Sequence, residues 1–245
     1  FVAGKLMSVI QPVVDLRSSP TGPRERQLLR GALLTVFEDR DGWSFVQGLN
    51  GYVGYIPSET LGLQSAPTHM VSTRATHAYQ GETFKSVDLM GLPFGARVTV
   101  LDERQKFFET DVGYISKSHL CPVDRLFSDP VTITQMHFGV PYLWGGDSTY
   151  GVDCSGLVSA GLLACGIDCP ADSDLQCDTL GRDFNGDLKR GDLVFWSGHV
   201  GLMVDEVTII HANAHHMATV SEPIKNAILR IAAQGDGDII ARRRL

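Results

Sequence analysis

Two segments of the chain repeat one short pattern at a spacing of roughly 60 residues. Residues 54–61 read GYIPSETL, and residues 113–120 read GYISKSHL. Short runs of alternating apolar and polar residues surround both segments, and clusters of Gly, Pro, Ser and Asp separate these runs, as is typical of β-strands joined by tight turns. The repeat therefore predicts two small all-β modules, residues 1–66 and 67–122, linked by the stretch LGLQSAPTHM.

A helical pattern appears only in the last half of the chain. Apolar residues recur at steps of three and four positions between Leu157 and Cys165, which predicts an amphipathic helix from Ser155 to about Cys165. Gly166 is expected to end this helix, because glycine readily adopts the left-handed conformation found just after helix C-termini.

Strand-like runs follow the helix. They read DLVFW, HVGLMVD, VTIIHAN and DIIARRR. Residues 123–245 are therefore predicted to form one α+β domain in which the helix packs on an antiparallel sheet. Trp144 and Trp196 are expected to pack in the core of this domain.

Composition and hydropathy argue against two classes of partner, although the charge leaves a local basic patch open. The chain has 245 residues, 43% of them hydrophobic, and a formal net charge of -7. This charge predicts no general attraction to nucleic acid or to an anionic membrane surface. No run approaches the ~20 consecutive apolar residues that a membrane-spanning helix needs, so neither nucleic-acid binding nor membrane insertion is expected.

The cysteines bear on the compartment. There are five of them in a chain of this length, and an odd number so widely spread is not typical of a disulfide framework. A reducing compartment is therefore expected, which favours the cytoplasm. An exported or periplasmic form stays open, because the sequence begins at Phe1 and a leader could precede it.

Cys154 lies at the predicted start of the helix. A thiol in this position faces the positive end of the helix dipole and unpaired backbone N–H groups, both of which favour the thiolate and lower the thiol pKa. This is the environment of a nucleophilic cysteine. The alternative is a small buried core residue, which is the interpretation adopted for the other four cysteines.

Two histidines are spaced so that they could serve such a thiol. If Ser197 and Gly198 form a turn, His199 opens the next strand. A second turn centred near Asp205 would then place His211 directly opposite His199. Cross-strand partners have Cβ atoms about 4.5–5.5 Å apart, so one imidazole could act as the base for the thiol and the other could orient it.

A zinc site is the alternative use of these histidines. His211, His215 and His216 form a short run, but no acidic or cysteine ligand stands at a characteristic metal-binding distance in the sequence. The sequence therefore predicts no metal and no organic cofactor.

The motifs that carry this chemistry resemble a known family. The runs PYLWGG, GVDCSG, LKRGDLVFWSGHVGLMV and IIHAN cover nearly all of residues 131–212 and resemble the NlpC/P60 peptidases, a papain-like group. The runs QLLRG and GYVGYI of the first module resemble a bacterial SH3-like domain. The resemblance implies a papain-like catalytic domain (α+β, with the nucleophile on a helix packed against an antiparallel sheet) preceded by two small SH3-like barrels.

The whole layout is similar to one subgroup of this family. Its members hydrolyse γ-D-glutamyl bonds to a diamino acid in murein peptides, often with a requirement for a free N-terminal L-alanine. The resemblance implies that Cys154 is the nucleophile, His199 the general base and His211 the orienting group. It also implies a substrate-binding set, which consists of Tyr142, Asp153, Ser155 and Ser173.

Two features leave the substrate less defined than the reaction. Helix capping is the alternative role for Asp153 and Ser155. The subgroup also leads us to expect an arginine just before the pair Asp172-Ser173, to bind a substrate carboxylate, yet Ala171 stands there. Arg182 could substitute for it, since an arginine binds carboxylates through two parallel hydrogen bonds.

The resemblance also implies a partner and leaves alternative functions open. The expected partner is a murein peptide, and the SH3-like modules are expected to pack on the catalytic domain and shape its cleft, although they could instead bind wall polymer. A different murein amidase or an acyltransferase with the same layout is the first rival function. A non-catalytic protein that binds the cell wall is the second. The sequence indicates neither the preferred diamino acid nor the oligomeric state.

Overall fold

The computed structural model of the chain describes residues 4–64 and 66–245. Residues 1–3, in the first predicted module, and Ser65, in the predicted linker, lie outside the described residues. The chain divides into two compact units. The first comprises the described residues up to Arg125 together with Asp147–Thr149, and the second comprises Leu126–Gly146 and Tyr150–Leu245.

The first unit is built from β-strands. Two single 3₁₀ turns, Ser58–Thr60 and Lys117–His119, interrupt them. The strands in chain order are β1 (Lys5–Val9), β2 (Val13–Arg17), β3 (Arg24–Leu29), β4 (Leu33–Arg40), β5 (Trp43–Gly48), β6 (Val53–Pro57), β7 (Leu61–Leu63), β8 (His69–Val71), β9 (Ala75–Tyr79), β10 (Asp88–Pro93), β11 (Arg97–Val98), β12 (Val100–Glu103), β13 (Phe107–Thr110), β14 (Gly113–Ser116), β15 (Leu120–Pro122) and β16 (Asp147–Ser148).

Strands β1 to β7 form one seven-stranded sheet in the order β3-β2-β6-β5-β4-β1-β7. The turn between β4 and β5 explains part of this topology, because Asp41 and Gly42 both adopt positive φ values, 54° and 80°, as a tight hairpin turn requires. Alternate residues of the strands then point inward, and Leu16, Val46 and Ile56 are fully buried in a common core.

Strands β8 to β15 form two smaller sheets, β10-β9-β14-β13-β12 and β11-β8-β15. The repeated pattern adopts the same conformation in both places: β6 and β14 each run into a 3₁₀ turn and then into a short strand, β7 or β15. Whether residues 67–122 are a second SH3-like domain stays a prediction. The two groups of sheets form one unit, in which the carbonyl O of Arg30 accepts from N of Arg97 (2.9 Å) and its guanidinium pairs with Asp111 (2.7 Å).

The second unit contains helices and one main sheet. Its elements in chain order are α1 (Pro130–Gln135), β17 (Gly151–Val152), α2 (Cys154–Ala164), α3 (Ser173–Thr179), β18 (Arg182–Asp183), β19 (Leu193–Trp196), β20 (His199–Met203), β21 (Thr208–Asn213), β22 (Ala218–Pro223), α4 (Ile224–Gln234) and β23 (Ala241–Arg244). Six strands form a sheet in the order β18-β23-β19-β20-β21-β22, and their pairings are antiparallel. The predicted α+β class is therefore confirmed for this unit.

The sheet of the second unit is covered on both faces, as strand β19 shows. Its alternate residues Leu193 and Phe195 pack in the core that contains Leu157 of α2. The intervening Val194 and Trp196 pack in a second core with side chains of α4. Since successive residues of a strand point to opposite faces, every residue of β19 is buried. Within the described part of the chain, no helix is long and apolar enough to cross a membrane.

Helix α2 lies close to its predicted bounds. It spans Cys154–Ala164, and Gly166 follows with a φ of 74°, so its predicted end is confirmed. The predicted amphipathic character is wrong, because α2 is buried on nearly every side. Gly161 allows this burial: a Cβ at this position would come within 2.8 Å of the carbonyl O of Pro130 in α1.

The two tryptophans of the second unit have different environments. Trp196 is 1% exposed, as predicted, whereas Trp144 is 70% exposed, so the prediction of a core position for Trp144 is wrong. A tight turn explains the difference. The N–H of Gly146 donates to the carbonyl O of Leu143 (2.8 Å), so Trp144 occupies a central position of the turn, where a side chain projects outward.

The packing of α2 generates a prediction for stability. The substitution Leu157→Ala is expected to lower the free energy of unfolding by about 2–5 kcal/mol, because it leaves a cavity in a fully buried core. Leu163→Ala, in the same helix at a position 54% exposed, is the matched control and is expected to change it by less than about 0.5 kcal/mol. Urea denaturation measures both values, and equal losses would contradict the described packing.

Candidate active site

Cys154 is the first residue of α2, and Asp153 caps the helix. Oδ1 of Asp153 accepts hydrogen bonds from N of Gly156 (2.7 Å) and from Oγ of Ser155 (3.2 Å). Oδ2 of the same carboxylate accepts from N of Gly145 (2.9 Å) in the preceding loop. Helix capping is therefore an observed role of Asp153. A role of Asp153 and Ser155 in substrate binding stays a prediction.

The sulfur of Cys154 lies beside the start of strand β20. Its hydrogen-bond contact is the carbonyl O of Gly198, at 4.0 Å, immediately before His199. Within the described residues, no hydrogen bond joins this sulfur to the ring of His199 or of His211. The cysteine is 6% exposed.

The charge state of this thiol differs from the sequence-based prediction. Burial, and then the negative charge of Asp153, raise the pKa of Cys154 to about 11, although backbone N–H groups of Val200, Ser155 and Cys154 itself oppose the shift. The prediction of a lowered pKa is therefore wrong for the protein without substrate. Loss of hydration in the core outweighs the donors at the helix start.

The turn that begins strand β20 forms as predicted. Strands β19 and β20 are antiparallel with Trp196 opposite His199. Ser197 and Gly198 are the two residues between these strands, and the φ of Gly198 is 68°, a value that a two-residue hairpin turn accommodates readily when glycine occupies it. His199 therefore opens β20.

The predicted register of the next turn is wrong by two residues. Leu202 lies opposite Ile210 and Met203 opposite Ile209, so His211 faces Gly201 rather than His199. A side chain on Gly201 would place its Cβ 3.2 Å from Cβ of His211. The turn is centred on residue 206 rather than near Asp205. Inside it, Oδ1 of Asp205 accepts from N of Val207 and N of Thr208 (2.9 and 2.8 Å).

The two histidines meet nevertheless. A shift of two residues leaves the same face of a strand in place, and diagonal neighbours in a sheet remain within reach of long or aromatic side chains. Nε2 of His199 lies 2.9 Å from Nδ1 of His211. Within residues 4–64 and 66–245, Nδ1 of His199 has no hydrogen-bond partner, so this nitrogen is available to a reacting group.

Two further residues continue the line of hydrogen bonds. Nε2 of His211 lies 2.9 Å from Oε1 of Glu222 in β22, and Nη2 of Arg230 in α4 donates to the same oxygen at 2.5 Å. Sequence reasoning missed both residues. Alternation along ATVSEP could have indicated a strand, but nothing in the sequence fixes the register of that strand against β21.

Burial governs the protonation of this group. Burial, followed by the positive charges of His211 and Arg230, lowers the pKa of His199 to about 3, although the charge of Glu222 opposes the shift. Burial also lowers the pKa of His211, with Glu222 opposing. The hydrogen bond from His211, and then that from Arg230, bring the pKa of Glu222 to about 2. At neutral pH both rings are therefore uncharged and Glu222 is ionised.

Tyr142 is brought to the same region. It is half-buried, and its backbone N donates to the carbonyl O of Met217 at 2.9 Å. Burial, followed by the negative charges of Cys154 and Asp153, raises the pKa of Tyr142 above its usual value. Tyr142 also packs against the buried core cluster that contains Cys154.

The last residue of the predicted substrate-binding set is less tightly placed. Ser173 is half-buried at the start of α3, and within the described part of the chain no hydrogen bond joins it to Cys154 or to either histidine. Ala171 is 5% exposed. Arg182, the proposed substitute for an arginine there, lies in β18 at the sheet edge, three strands from β20, or about 14 Å at the usual strand spacing.

The histidines of the zinc alternative do not converge. His211 contacts Glu222, His215 contacts Gln234 through Nδ1 (3.0 Å), and His216 contacts Asn213 (2.9 Å). Among the residues that the structure describes, no group of three or more His, Cys, Asp or Glu side chains is arranged to hold a metal ion. The zinc interpretation therefore has no geometric support.

Comparison with known proteins identifies two domains in the chain. Residues 139–231 match the sequence model of the NlpC/P60 family. Residues 16–61 match that of the bacterial dipeptidyl-peptidase SH3 domain. The chain thus contains an NlpC/P60 domain preceded by one SH3 domain that a family model recognises. No such match supports the second predicted SH3-like domain.

Relatives and a solved structure extend the comparison over most of the chain. The chain is 24% identical to dipeptidyl-peptidase 6 of Lysinibacillus sphaericus, over 76% of this chain and 79% of that protein. It is 26% identical to γ-D-glutamyl-L-lysine dipeptidyl-peptidase of Bacillus subtilis, over 77% and 72%. The crystal structure of an NlpC/P60 family protein from Bacillus cereus covers 98% of this chain with a TM-score of 0.83 at 19% identity, which shows a shared fold. The NlpC/P60 domain and these peptidase relatives identify the chain as a hydrolase of the peptidase class.

The raised pKa of Cys154 generates a prediction for alkylation by iodoacetamide, which attacks thiolates. Because the pKa is about 11, the thiolate fraction is expected to rise about tenfold per pH unit from pH ~7 to ~10. The rate at Cys154, followed by mass spectrometry of its peptide, should rise in parallel. In urea the same peptide is expected to level off above pH ~9. A plateau below pH ~8 in the folded protein would contradict the assignment.

Proposed function

We propose that the chain hydrolyses the γ-D-glutamyl bond to a diamino acid in murein peptides, with selection for a free N-terminal L-alanine. The general class, a hydrolase that acts on peptidoglycan peptides, follows from the NlpC/P60 domain and from relatives with dipeptidyl-peptidase activity in their names. The observation that carries the proposed chemistry is the hydrogen-bonded pair His199 and His211, at 2.9 Å, beside the cysteine at the helix start. The proposed bond is suggested by the relative named γ-D-glutamyl-L-lysine dipeptidyl-peptidase.

The proposed first step begins from neutral groups. The sulfur of Cys154 attacks the amide carbon while its proton passes to Nδ1 of His199, which becomes an imidazolium. His211 holds the ring of His199 through its Nε2. Backbone N–H groups at the start of α2, including that of Cys154, are placed to stabilise the oxyanion, and Tyr142 lines the same space.

The second half of the reaction returns the enzyme to its starting state. The imidazolium of His199 protonates the leaving amine, which leaves as the diamino-acid product. Water then attacks the thioester carbonyl with His199 as general base, and the carboxylic acid product leaves as the sulfur regains its proton. Each proton therefore moves between sulfur, His199, the leaving group and water, so the chain's own residues are sufficient.

Asp153 and Ser155 are proposed to receive the free amine of the substrate. A carboxylate as buried as that of Asp153, which is 6% exposed, would pair strongly with an ammonium group. A substrate whose chain continued past this point would leave the carboxylate without a cation and would be disfavoured. Ser173 is proposed to contribute a hydroxyl to the same pocket, with no arginine at position 171.

The proposed biological setting is the recycling of murein peptides in the cytoplasm. All five cysteines are free thiols, which is typical of a reducing compartment. We propose three domains, with limits at residues 1–66, 67–122 and 123–245. The SH3-like modules are proposed to shape the cleft and to limit substrates to short peptides. Binding of wall polymer by these modules is the competing role.

The nucleophile is tested by Cys154→Ala. This substitution is expected to lower kcat/KM for L-Ala-γ-D-Glu-diamino-acid peptides by about 10⁴-fold or more, because the residual activity of such a variant comes from binding and oxyanion stabilisation alone. Cys165→Ala, which changes the half-buried cysteine just after the same helix, is the matched control and should keep wild-type activity. Hydrolysis by Cys154→Ala at the control rate would exclude the proposed role.

The bond and the amine requirement are tested with a panel of murein peptides. Mass spectrometry of the products is expected to show L-Ala-γ-D-Glu and the diamino acid from the free peptide. Acetylation of the N-terminal alanine is expected to lower kcat/KM by about 100-fold or more, because it removes an ammonium that a buried carboxylate pairs with. Release of intact stem peptide from glycan would instead identify an amidase, and transfer to an added amine would identify an acyltransferase.

A further inference from the structure

Glu222 occupies a place in the site that the proposed reaction does not use. It lies in β22 with its side chain 16% exposed. Its Oε1 contacts Nε2 of His211 at 2.9 Å and Nη2 of Arg230 at 2.5 Å. His211 is fully buried, so its ring nitrogen faces Glu222 and not solvent.

The chemistry of the two outer residues fixes the direction of the hydrogen bonds. An arginine side chain has only donors, and an ionised carboxylate has only acceptors. The low pKa of Glu222 keeps it ionised at neutral pH, so Nε2 of His211 must carry the hydrogen of that contact. A neutral imidazole has one N–H only, and Nδ1 of His211 is therefore an acceptor.

The same reasoning applies to the ring of His199. Nδ1 of His211 accepts, so the hydrogen of the 2.9 Å contact between the histidines belongs to Nε2 of His199. His199 is also neutral, which leaves the lone pair on its Nδ1. Within residues 4–64 and 66–245, Nδ1 of His199 has no hydrogen-bond partner. Its free lone pair can accept the proton of Cys154, as a general base must.

We propose that Glu222 is a positioning residue that sets the tautomers of both histidines, so that Nδ1 of His199 is the unprotonated nitrogen offered to Cys154. The inference rests on the proposed function in that it assigns His199 the role of base. If the hydrogen bonds ran in the opposite direction, two acceptors, Oε1 of Glu222 and Nε2 of His211, would lie 2.9 Å apart in a buried site. Such an unsatisfied contact is strongly unfavourable.

Arg230 explains why the carboxylate orients the rings without charging them. It pairs with Glu222 and also donates to Oε1 of Gln234 at 3.1 Å. The charged and titratable groups that act on His211 are Glu222, Arg230 and His216, besides its partner His199. The positive charge of Arg230 offsets that of the carboxylate, so the Glu222–Arg230 pair adds little net charge beside the two rings.

The tautomers can be read directly in the full-length protein without substrate. In ¹⁵N-labelled wild type at pH 7.5, long-range ¹H–¹⁵N spectra are expected to show Nε2–H and a bare Nδ1 for both His199 and His211. Signals are assigned by their loss in His199→Gln and His211→Gln. A protonated Nδ1 on either ring of the wild type would overturn the proposal, whatever bond the enzyme cleaves.

Substitutions at Glu222 test whether this residue sets the tautomers of His199 and His211. Glu222→Leu removes the acceptor and is expected to yield a mixture that includes the Nδ1–H tautomer of His199. Its kcat should fall by about 10- to 1000-fold, since a wrongly protonated catalytic histidine can cost up to about 10⁴-fold, while KM stays within about twofold. Glu222→Gln keeps an oxygen that both His211 and Arg230 can donate to. It is therefore expected to retain the wild-type tautomers and to rescue kcat to within about tenfold of wild type.

Controls distinguish a loss of the role of Glu222 from misfolding and from failure of the proposed function. Glu206→Leu removes an exposed carboxylate in the turn between β20 and β21 and should leave tautomers and kcat unchanged. Thermal unfolding of each variant shows whether it is folded. Unchanged tautomers and kcat in Glu222→Leu, or Nδ1–H tautomers in Glu222→Gln, would overturn the role of Glu222. An active Cys154→Ala variant would overturn the proposed function instead.

Discussion

The carboxylate of Asp153 holds together the two segments on which the site depends. One oxygen caps the start of α2 through Gly156, and the other accepts from Gly145 in the loop that follows Tyr142. One buried group therefore links the position of Cys154 to the loop that follows Tyr142. Burial is the main cause of the high pKa of Cys154, and the negative charge of Asp153 adds to it. The carboxylate that orders the site therefore also favours the protonated thiol.

Local patterns predicted the parts of the fold that depend on local chemistry. The bounds of α2, its end at Gly166 and the turn at Ser197-Gly198 follow from helical periodicity and from glycine, and all three are confirmed. The meeting of His199 with His211 was also predictable, because a strand keeps its inward face when the register moves by two residues. The register itself was not, since it depends on the hydrogen bonds that Asp205 makes inside the turn.

Properties set by distant parts of the chain could not be predicted in this way. A helix start alone predicts a low pKa for the Cys154 thiol, but burial in the surrounding core raises that pKa instead. Periodicity alone predicts an amphipathic α2, but α1 packs closely against a second face of α2 at Gly161. Glu222 and Arg230 reach His211 from β22 and α4, whose placement rests on pairing and packing. The roles assigned to the catalytic and substrate-binding residues remain proposals, for which the geometry supplies support.

The buried, protonated state of Cys154 has a consequence for the life of the enzyme under oxidative stress. Peroxides convert thiolates to sulfenic acid and then to irreversible products, and they do so in proportion to thiolate character and exposure. A cysteine that is 6% exposed with a pKa of about 11 offers little of either. The resting enzyme is therefore expected to survive peroxide exposure that would inactivate a cysteine hydrolase with a permanently ionised sulfur.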